Sequence, residues 1–336
     1  MTSNPSRRSI LSRGLATAAS LAVPVVGHAQ SARVMNVGFS TPVESDYGVL
    51  ATKLQQLVKE RMGDVVEVKL RCCATIATED DAFKALQLGT VDAYFISSNN
   101  IGPHFPLFDI MVLPYVFQGT AHVRKVRDGG IADDLADRLR KATGVQLLAW
   151  GAVSHRDFFN SKRPINDVKD MAGLKVRVPK NEVMIQTFRA FGAEPIPLAW
   201  SETPAALQTG AVDGSDNGTS VIKSMKFYEF SKNLAILEHF AGFGPLLASP
   251  RFMGRLSPEH QRTLLQCGKE AGQHHRTVVE AEVENVRKFL ADNGMKTTRP
   301  NQKGFINAVL PLQDKFAAER GAEFKAMLDK FRAAVA

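Results

Sequence analysis

The chain has 336 residues and a formal net charge of +8 at pH 7. Three of its arginines lie within residues 1–29, which contain no acidic residue, so the remainder carries about +5. This moderate surplus, without a long basic run or a basic patch with interleaved aromatic residues, gives no indication of nucleic-acid binding but favours anionic solutes. The roughly 300 remaining residues are enough for two domains.

The first residues have the pattern of an export signal. Arg7 and Arg8 form a twin-arginine pair, the mildly apolar stretch 15–26 follows, and small residues lead up to Ala29. That stretch is about a dozen residues long and contains Pro24, whereas a membrane-spanning helix needs roughly 20 apolar residues. We expect residues 1–29 to be a cleaved twin-arginine signal and the protein to be periplasmic. The alternative is a cytoplasmic protein with a chance arginine pair.

Strands and helices alternate in the segment that follows. Apolar runs predict strands over 34–39, 65–70 and 91–96. Helical spacing predicts a helix behind an Asp46 cap that closes at Gly63, and a capping box at Thr78 predicts a second helix. This order predicts parallel strands with right-handed crossovers and a ligand at the carboxyl ends of the strands.

The second half repeats this logic and adds a long helix. Strands are predicted over 147–152 and 174–178, and helices over 181–191 and from a Ser201 cap to Gly210. Ser257 and Pro258 open a long helix that ends at Asn293 and Gly294.

Arg177 is the first candidate for a binding residue. Leu174, Val176 and Val178 alternate with Lys175 and Arg177, so a strand here places its apolar side chains on one face and Arg177 on the other. A guanidinium offers a carboxylate two parallel hydrogen bonds, which a lysine cannot reproduce. The alternative is an ordinary solvated arginine on a strand.

Four segments carry a family resemblance: GLKVRVP at 173–179, PIPLAWSE at 195–202, ALQTG at 206–210 and VDGSDN at 212–217. In this order and spacing they resemble the signature of the solute-binding proteins of tripartite ATP-independent periplasmic (TRAP) transporters. The resemblance covers essentially the whole chain from about Val34. It implies an α/β, two-lobe periplasmic-binding-protein-like fold with a ligand cleft between the lobes and a long C-terminal helix crossing both. It assigns 33–154 plus about 243–282 to lobe I, and 155–242 plus about 283–336 to lobe II.

The same resemblance implies a receptor and no catalysis. The chain would bind a small organic acid by cleft closure and deliver it to a small and a large integral membrane subunit, with no cofactor. One alternative is a periplasmic receptor that feeds a signalling kinase. A periplasmic α/β enzyme is another, but no GxGxxG motif follows the first strand and the chain has no GxSxG motif.

The resemblance also implies ligand-binding residues in the second lobe. Arg177 stands at the arginine of the family motif LK(I/V)RVP, which is the main carboxylate ligand. Arg156 matches the first arginine of FRxFTNSKRP, although His155 replaces the phenylalanine. Asn217 ends VDGSDN where the family has VDGQEN, and its amide offers a donor and an acceptor. Trp200 matches an aromatic position that packs on the ligand, or else it is an ordinary packed tryptophan.

Polar residues of the first lobe complete the implied site. Ser45, Glu79 and Ser97 match positions that approach the ligand and vary between family members. Each is equally explained as a helix cap or a solvated loop residue, and Glu79 suits a helix N-terminus. The expected ligands, in order, are keto acids, dicarboxylates, sugar acids and aromatic acids.

The cysteines give no clear functional signal. Cys72 and Cys73 are adjacent and Cys267 is distant, so either one of the pair is bridged to Cys267 or all three stay reduced. Their spacing does not match a metal site. Buried small side chains are the expected role.

Overall fold

The computed structural model describes residues 32–152 and 155–335, so the predicted export signal lies outside the described residues. The strands are β1 (Arg33–Gly38), β2 (Val66–Arg71), β3 (Ala93–Phe95), β4 (Gln146–Ala152), β5 (Arg156–Asn160), β6 (Lys175–Val178), β7 (Glu194–Pro197), β8 (Gly214–Gly218), β9 (Asn233–Phe240), β10 (Phe243–Ala248) and β11 (Lys296–Thr298). The helices are α1 (Asp46–Met62), α2 (Glu79–Leu88), α3 (Gly119–Asp128), α4 (Ile131–Thr143), α5 (Glu182–Ala190), α6 (Thr203–Thr209), α7 (Thr219–Ser224), α8 (Pro250–Met253), α9 (Pro258–Asp292), α10 (Gln302–Arg320) and α11 (Ala322–Ala333).

The first sheet has the strand order β2-β1-β3-β10-β4. β1 pairs in parallel with β2 and with β3, as the alternation of strands and helices predicts. β10 is antiparallel to both of its neighbours, β3 and β4. Met35 and Val37 of β1 are fully buried and pack with Leu50 and Leu54 of α1. This packing fixes where the strands end, and therefore where the loops that follow them meet.

The second sheet has the strand order β11-β9-β5-β8-β6-β7. β6 is parallel to β7 and β8, β5 is antiparallel to β8 and β9, and β11 is parallel to β9. Its core includes Phe158, Val176, Val178 and Phe188, which are fully buried. Each sheet therefore has its own core, and the predicted α/β class with two sheet-centred parts is confirmed.

Three segments join the two sheets. The chain passes from β4 to β5 and again from β9 to β10. Helix α9, 35 residues long, is shared as well. Cys267 and Ala271 lie in a core of the first sheet, whereas Val286 and Leu290 lie in a core of the second. The predicted long helix that crosses both parts is therefore present, starting at Pro258 with its cap on Ser257. None of the described helices is both long and apolar enough to cross a membrane.

The two C-terminal helices pack in different clusters. Phe305 and Val309 of α10 pack in the second sheet's core. Phe316 of α10 and Phe331 of α11 pack instead in the first sheet's large cluster. Helix α11 therefore buries its apolar face, including Phe324 and Phe331, in the first sheet's large cluster.

Two helix starts also differ from the prediction. Helix α1 is capped by Ser45, whose Oγ accepts from the Gly48 amide at 3.4 Å, and Asp46 is its first residue. Helix α6 begins at Thr203 rather than behind Ser201, which lies in a preceding 3₁₀ turn. Pro204 explains this start, since a residue without an N–H suits only the first turn of a helix.

Candidate functional site

A cleft between the two sheets collects polar residues from both. It lies beyond the carboxyl ends of β1, β3, β6 and β8, where ligands bind to sheets of this kind. The lining residues are Ser40, Thr41, Tyr47, Glu79, Asp80, Ser97, Asn99, Asn100, Arg156, Arg177, Pro179, Trp200, Asn217 and Val221. Six of the seven residues expected from the sequence therefore meet in one place, and Ser45 is the exception.

The cleft is nearly closed in this conformation. About 20 Å³ remains free inside it, which is room for about one water molecule. Contacts across the cleft hold the two walls together. The Ser220 hydroxyl donates to Asp46 Oδ2 at 2.8 Å. The Asn181 amide donates to Asp109 Oδ1 at 2.8 Å and to the Asn99 carbonyl at 3.0 Å. An organic acid therefore enters only if these contacts open or the lining side chains move.

Arg177 is a buried cation without a carboxylate partner. It is 2% exposed. Its Nε and Nη2 both donate to one neutral acceptor, the Leu198 carbonyl, at 3.1 and 2.8 Å. No carboxylate oxygen of the described residues lies within the 4.0 Å of an ion pair. Burial, followed by the neighbouring charge of Arg156, lowers the pKa of Arg177 to about 10, so it stays protonated at neutral pH.

Arg156 differs from Arg177 because its charge is already matched. Its Nε and Nη2 donate to the two carboxylate oxygens of Asp216 at 2.5 and 3.0 Å, and Nη2 also reaches the Asp216 carbonyl at 2.7 Å. β5 and β8 pair so that Asp216 stands diagonally across from Arg156, a spacing that long side chains bridge. Burial opposes both charges, but the pair raises the pKa of Arg156 and lowers that of Asp216.

His239 lies on the far side of the same carboxylate. Its Nε2 is 3.3 Å from Asp216 Oδ2, and the side chain is fully buried. Neither ring nitrogen forms a hydrogen bond of good geometry with the described residues. Burial lowers the pKa of His239, so the ring is neutral at pH 7 and Arg156 alone balances Asp216.

The facing wall comes from the loops after β1 and β3 and from the first residues of α2. Glu79 is 6% exposed, and its carboxylate accepts from the Ser97 amide at 2.7 Å and from the Ser40 hydroxyl at 3.1 Å. Burial raises the pKa of Glu79, against the lowering effect of these bonds and of the two arginines. The Ser97 hydroxyl in turn bonds to Asn99 Oδ1 at 2.5 Å. The wall is thus a network of hydroxyl, amide and carboxyl groups.

Trp200 and Asn217 frame the two arginines. The Arg177 guanidinium carbon lies 5.6 Å from the centre of the Trp200 ring, within the range of a cation–π contact. The same ring meets Phe227 edge-on at 5.9 Å. Asn217 Oδ1 accepts from the Gly218 amide at 2.8 Å and lies 3.5 Å from Arg156 Nη1. Trp200 therefore contacts Arg177, while Asn217 lines the cleft beside Arg156.

Ser45 serves the fold instead of lining the cleft. It is 2% exposed, caps α1, and its Oγ lies 2.7 Å from the Thr41 hydroxyl. The helix-cap role, one of the two alternatives open from the sequence, describes it. Through Thr41, which does line the cleft, it still fixes the position of the wall.

Sequence reasoning did not single out several residues of the site, among them Asp216, Tyr47, Thr41 and Asn99. Asp216 was not singled out, although it immediately precedes Asn217 and a buried strand carboxylate demands a cation nearby. Tyr47 gave no functional signal in the sequence, yet it lines the cleft. The usable signal was position: Thr41 and Asn99 follow β1 and β3, and the carboxyl ends of parallel strands were already expected to be site loops.

Comparison with known proteins defines the class. Residues 38–320 match the family model for bacterial extracellular solute-binding protein, family 7. The chain belongs to this family. The 2,3-diketo-L-gulonate-binding periplasmic protein YiaO of Escherichia coli is 29% identical over 307 residues, which are 89% of this chain and 92% of that protein.

Solved structures agree with this assignment. A TRAP periplasmic solute-binding protein from a Polaromonas species, bound to D-erythronate, has a TM-score of 0.84 at 32% identity and covers 88% of this chain and 98% of its own. The sugar acid binding protein of Advenella mimigardefordensis in complex with galactonate has a TM-score of 0.86 at 25% identity, with 90% and 99% covered. The prediction of a TRAP-type solute receptor with a two-lobe fold is confirmed, and these relatives are named as binding proteins.

Proposed function

We propose that this protein binds the carboxylate of a small organic acid on Arg177, with Arg156 and Asn217 beside it. The observation that carries the proposal is the buried, unpaired guanidinium of Arg177. Burying a charge without a counter-ion is costly, so such a group is retained where a ligand supplies the opposite charge. Arg156 is neutralised by Asp216 and adds hydrogen bonds more than net charge.

The facing wall favours a hydroxylated acid over an aromatic one. Ser40, Thr41, Glu79, Ser97 and Asn99 offer both donors and acceptors to ligand hydroxyl groups. Trp200 is held by Arg177 on its face and by Phe227 at its edge, so it is a poor platform for an aromatic ligand. We therefore place sugar acids, such as aldonates, ahead of keto acids and aromatic acids. The erythronate and galactonate bound by similar proteins support this ranking.

Binding would proceed by closure of two lobes. We propose that lobe I comprises 33–154 plus about 243–282 and that lobe II comprises 155–242 plus about 283–336, with α11 of the latter packing in the first sheet's cluster. The acid docks while the Asp46–Ser220 and Asp109–Asn181 contacts are open, and their formation then excludes water from the charged groups. Small-angle scattering provides the test. The ligand should reduce the radius of gyration of the stripped protein, and an unchanged radius would contradict closure.

Delivery to membrane subunits is proposed from family membership. The closed receptor would hand its acid to the small and large integral proteins of a TRAP transporter. A receptor for a signalling kinase would bind the same acid. Pull-down from membranes with ligand-loaded protein separates the two, because recovery of a permease supports transport and recovery of a kinase supports signalling.

We also propose export through the twin-arginine route, on the strength of Arg7 and Arg8 and the apolar stretch behind them. Replacement of both arginines by lysine should leave the protein in the cytoplasm. Normal export of that variant would contradict the proposed route, although not the binding site.

The experiment that tests the binding site is a thermal-shift and calorimetric titration. Protein stripped of co-purified ligand by unfolding and refolding is titrated with galactonate, erythronate and galactitol, which has hydroxyl groups but no carboxylate. At about 1 mM, a micromolar ligand adds about 4 kcal/mol of stability and raises Tm by several degrees. Galactitol should give no shift.

Arg177→Met provides the decisive variant and Arg189→Met its matched control, because Arg189 is an exposed arginine on α5. Loss of the acid-induced shift in Arg177→Met alone supports the site. A shift that survives Arg177→Met would place the carboxylate elsewhere, and no shift with any acid would refute the organic-acid function.

A further inference from the structure

The loop between β2 and α2 brings two thiols together. The sulfur atoms of Cys72 and Cys73 face each other at 2.6 Å. Cys73 is exposed, Cys72 is half-buried, and Cys267 lies on the buried face of α9. All three cysteines of the chain are free thiols in the structure. Of the pairings open from the sequence, the bridge to Cys267 is therefore not formed, and the two thiols in contact are the adjacent ones.

The backbone of this loop is strained. Cys73 has φ of +62° and Ala74 has φ of +58°, so two consecutive residues other than glycine occupy the left-handed region. Such conformations cost energy and persist only where the surroundings impose them. The Cys73 amide donates to the Thr41 carbonyl at 3.3 Å, and the Ala74 amide donates to the Phe39 carbonyl at 3.1 Å. The loop is thus fastened to the segment after β1 that carries Thr41 into the ligand cleft.

We propose that Cys72 and Cys73 are a redox site: a dithiol that closes to a disulfide between neighbouring residues. Neither the family match nor the binding chemistry assigns a role to this pair. The pair is not among the residues that line the ligand cleft, and Cys73 contacts the cleft-lining Thr41 at its backbone carbonyl.

The reaction is a thiol–disulfide exchange with a small-molecule or protein disulfide as the oxidant. One cysteine, as its thiolate, attacks a sulfur of the oxidant, forms a mixed disulfide and expels the first thiolate. The second cysteine, as its thiolate, then attacks the cysteine sulfur of that mixed disulfide, so that the Cys72–Cys73 bond forms and the other half of the oxidant leaves. The two protons lost by the cysteines end on the two departing thiols. The pair is oxidised by two electrons and the external disulfide is reduced to two thiols.

This bond would be easily reversed. Neighbouring Cα atoms are about 3.8 Å apart across a trans peptide, below the roughly 4.4–6.8 Å that disulfides usually span. A disulfide forced into this spacing is strained and readily reduced, as labile and regulatory disulfides are. The exposure of Cys73 gives oxidants and reductants access. The neighbouring sulfur of Cys72, and then burial, raises the pKa of Cys73 to about 11, so closure should accelerate as the pH rises.

Closure should lock the loop in the conformation described here. In the dithiol form, only hydrogen bonds hold Cys73 and Ala74 in their strained backbone conformation. In the disulfide form a covalent ring holds the same residues. We therefore expect the Ala74 amide to exchange with deuterium about tenfold more slowly after oxidation.

The test uses the full-length protein, oxidised glutathione and mass spectrometry after alkylation under denaturing conditions. Oxidised wild type should lose two alkylation sites and two hydrogen atoms of mass, with the loss mapped to the peptide that contains both cysteines. Cys267→Ala should behave like wild type. Cys72→Ser and Cys73→Ser should instead retain one glutathione on the remaining cysteine, because no partner resolves the mixed disulfide.

The proposal is overturned if the wild type keeps both alkylation sites, accumulates stable glutathione adducts, or forms disulfide-linked dimers. The inferred locking of the loop is also overturned if disulfide formation leaves the deuterium exchange rate of the Ala74 amide unchanged. Neither readout involves an organic acid, so failure of the proposed binding function would leave this test intact.

Discussion

The two arginines of the cleft should respond differently when each is replaced by methionine. Arg156→Met strands the buried carboxylate of Asp216, and breaking a buried ion pair in this way costs about 3–5 kcal/mol. Arg177→Met breaks no pair. It removes two hydrogen bonds that share the Leu198 carbonyl, worth about 1 kcal/mol each, and it also removes a buried charge that Arg156 repels. These effects nearly cancel, so the free energy of unfolding should change by no more than about 1 kcal/mol.

Urea denaturation of the ligand-free variants measures this contrast. We expect Arg156→Met to lie about 3–5 kcal/mol below wild type and Arg177→Met within about 1 kcal/mol of it. The exposed control, Arg189→Met, should stay within about 0.5 kcal/mol. Galactonate binding should fall by at least about 30-fold in Arg177→Met, since removal of one partner of a buried charge pair costs about 2–5 kcal/mol. A loss of stability in Arg177→Met equal to that in Arg156→Met would refute the reasoning, because it would make Arg177 a structural residue.

The pKa of His239 provides a second test of the difference between the two arginine variants. With Arg156 removed, His239 is the group left beside Asp216, at 3.3 Å. Its pKa, now lowered by burial, should rise in Arg156→Met as the ring takes over the neutralisation of the carboxylate. Proton NMR titration of His239 measures this change, and an unaltered pKa would mean that Asp216 is itself protonated in the variant.

Three further predictions concern the fold. Burial raises the pKa of Asp157 to about 7 in spite of Arg287, so the folded state holds a proton that the unfolded state releases above about pH 4. The free energy of unfolding of the wild type should therefore fall by up to about 4 kcal/mol between about pH 4 and about pH 7 because of this group, and that of Asp157→Asn should not. Urea denaturation measures both pH profiles, and parallel profiles would contradict this prediction. Ser45→Ala should lower the free energy of unfolding by about 1 kcal/mol, because it removes the cap of α1, and should change the Kd for galactonate by no more than about twofold. A large loss of affinity in calorimetry would mean that Ser45 binds the ligand. Gly268→Ala places a methyl group 2.2 Å from the Leu148 carbonyl oxygen and should lower the free energy of unfolding by more than about 2 kcal/mol. Gly210→Ala, at φ of +74° with open space around it, should lower it by about 1 kcal/mol. Equal melting temperatures of the two variants would contradict this packing.

The sequence was a good guide to regular structure and to residues within a motif. The order of strands and helices predicted that β1, β2 and β3 are parallel, because that inference needs only local periodicity and the handedness of crossovers. Arg177 was found because it lies in a recognisable motif on a strand. Its burial required the structure, since alternation alone is equally compatible with a solvated arginine.

Features that depend on contacts between distant segments were not predictable. Asp216 became important only when β5 and β8 were seen to pair with Arg156 diagonally opposite. The packing of α11 in the first sheet's cluster was not predictable for the same reason, since an amphipathic helix shows which face it buries but not against what. Whether Ser45 or Asp46 caps α1 could not be predicted either, because the answer depends on the backbone angles of two adjacent residues.

The position of β10 has a consequence for the order in which the molecule can be completed. β10 lies between β3 and β4, yet it is synthesised only after β5 to β9. A nascent chain that ends before Phe243 therefore holds the flanking strands of the first sheet with their inner edges bare, exposing backbone groups that neighbouring chains can pair with. The first sheet can therefore be completed only after β10 has been synthesised. A ribosome that stalls midway would release a fragment that is prone to aggregation and does not form half of the receptor.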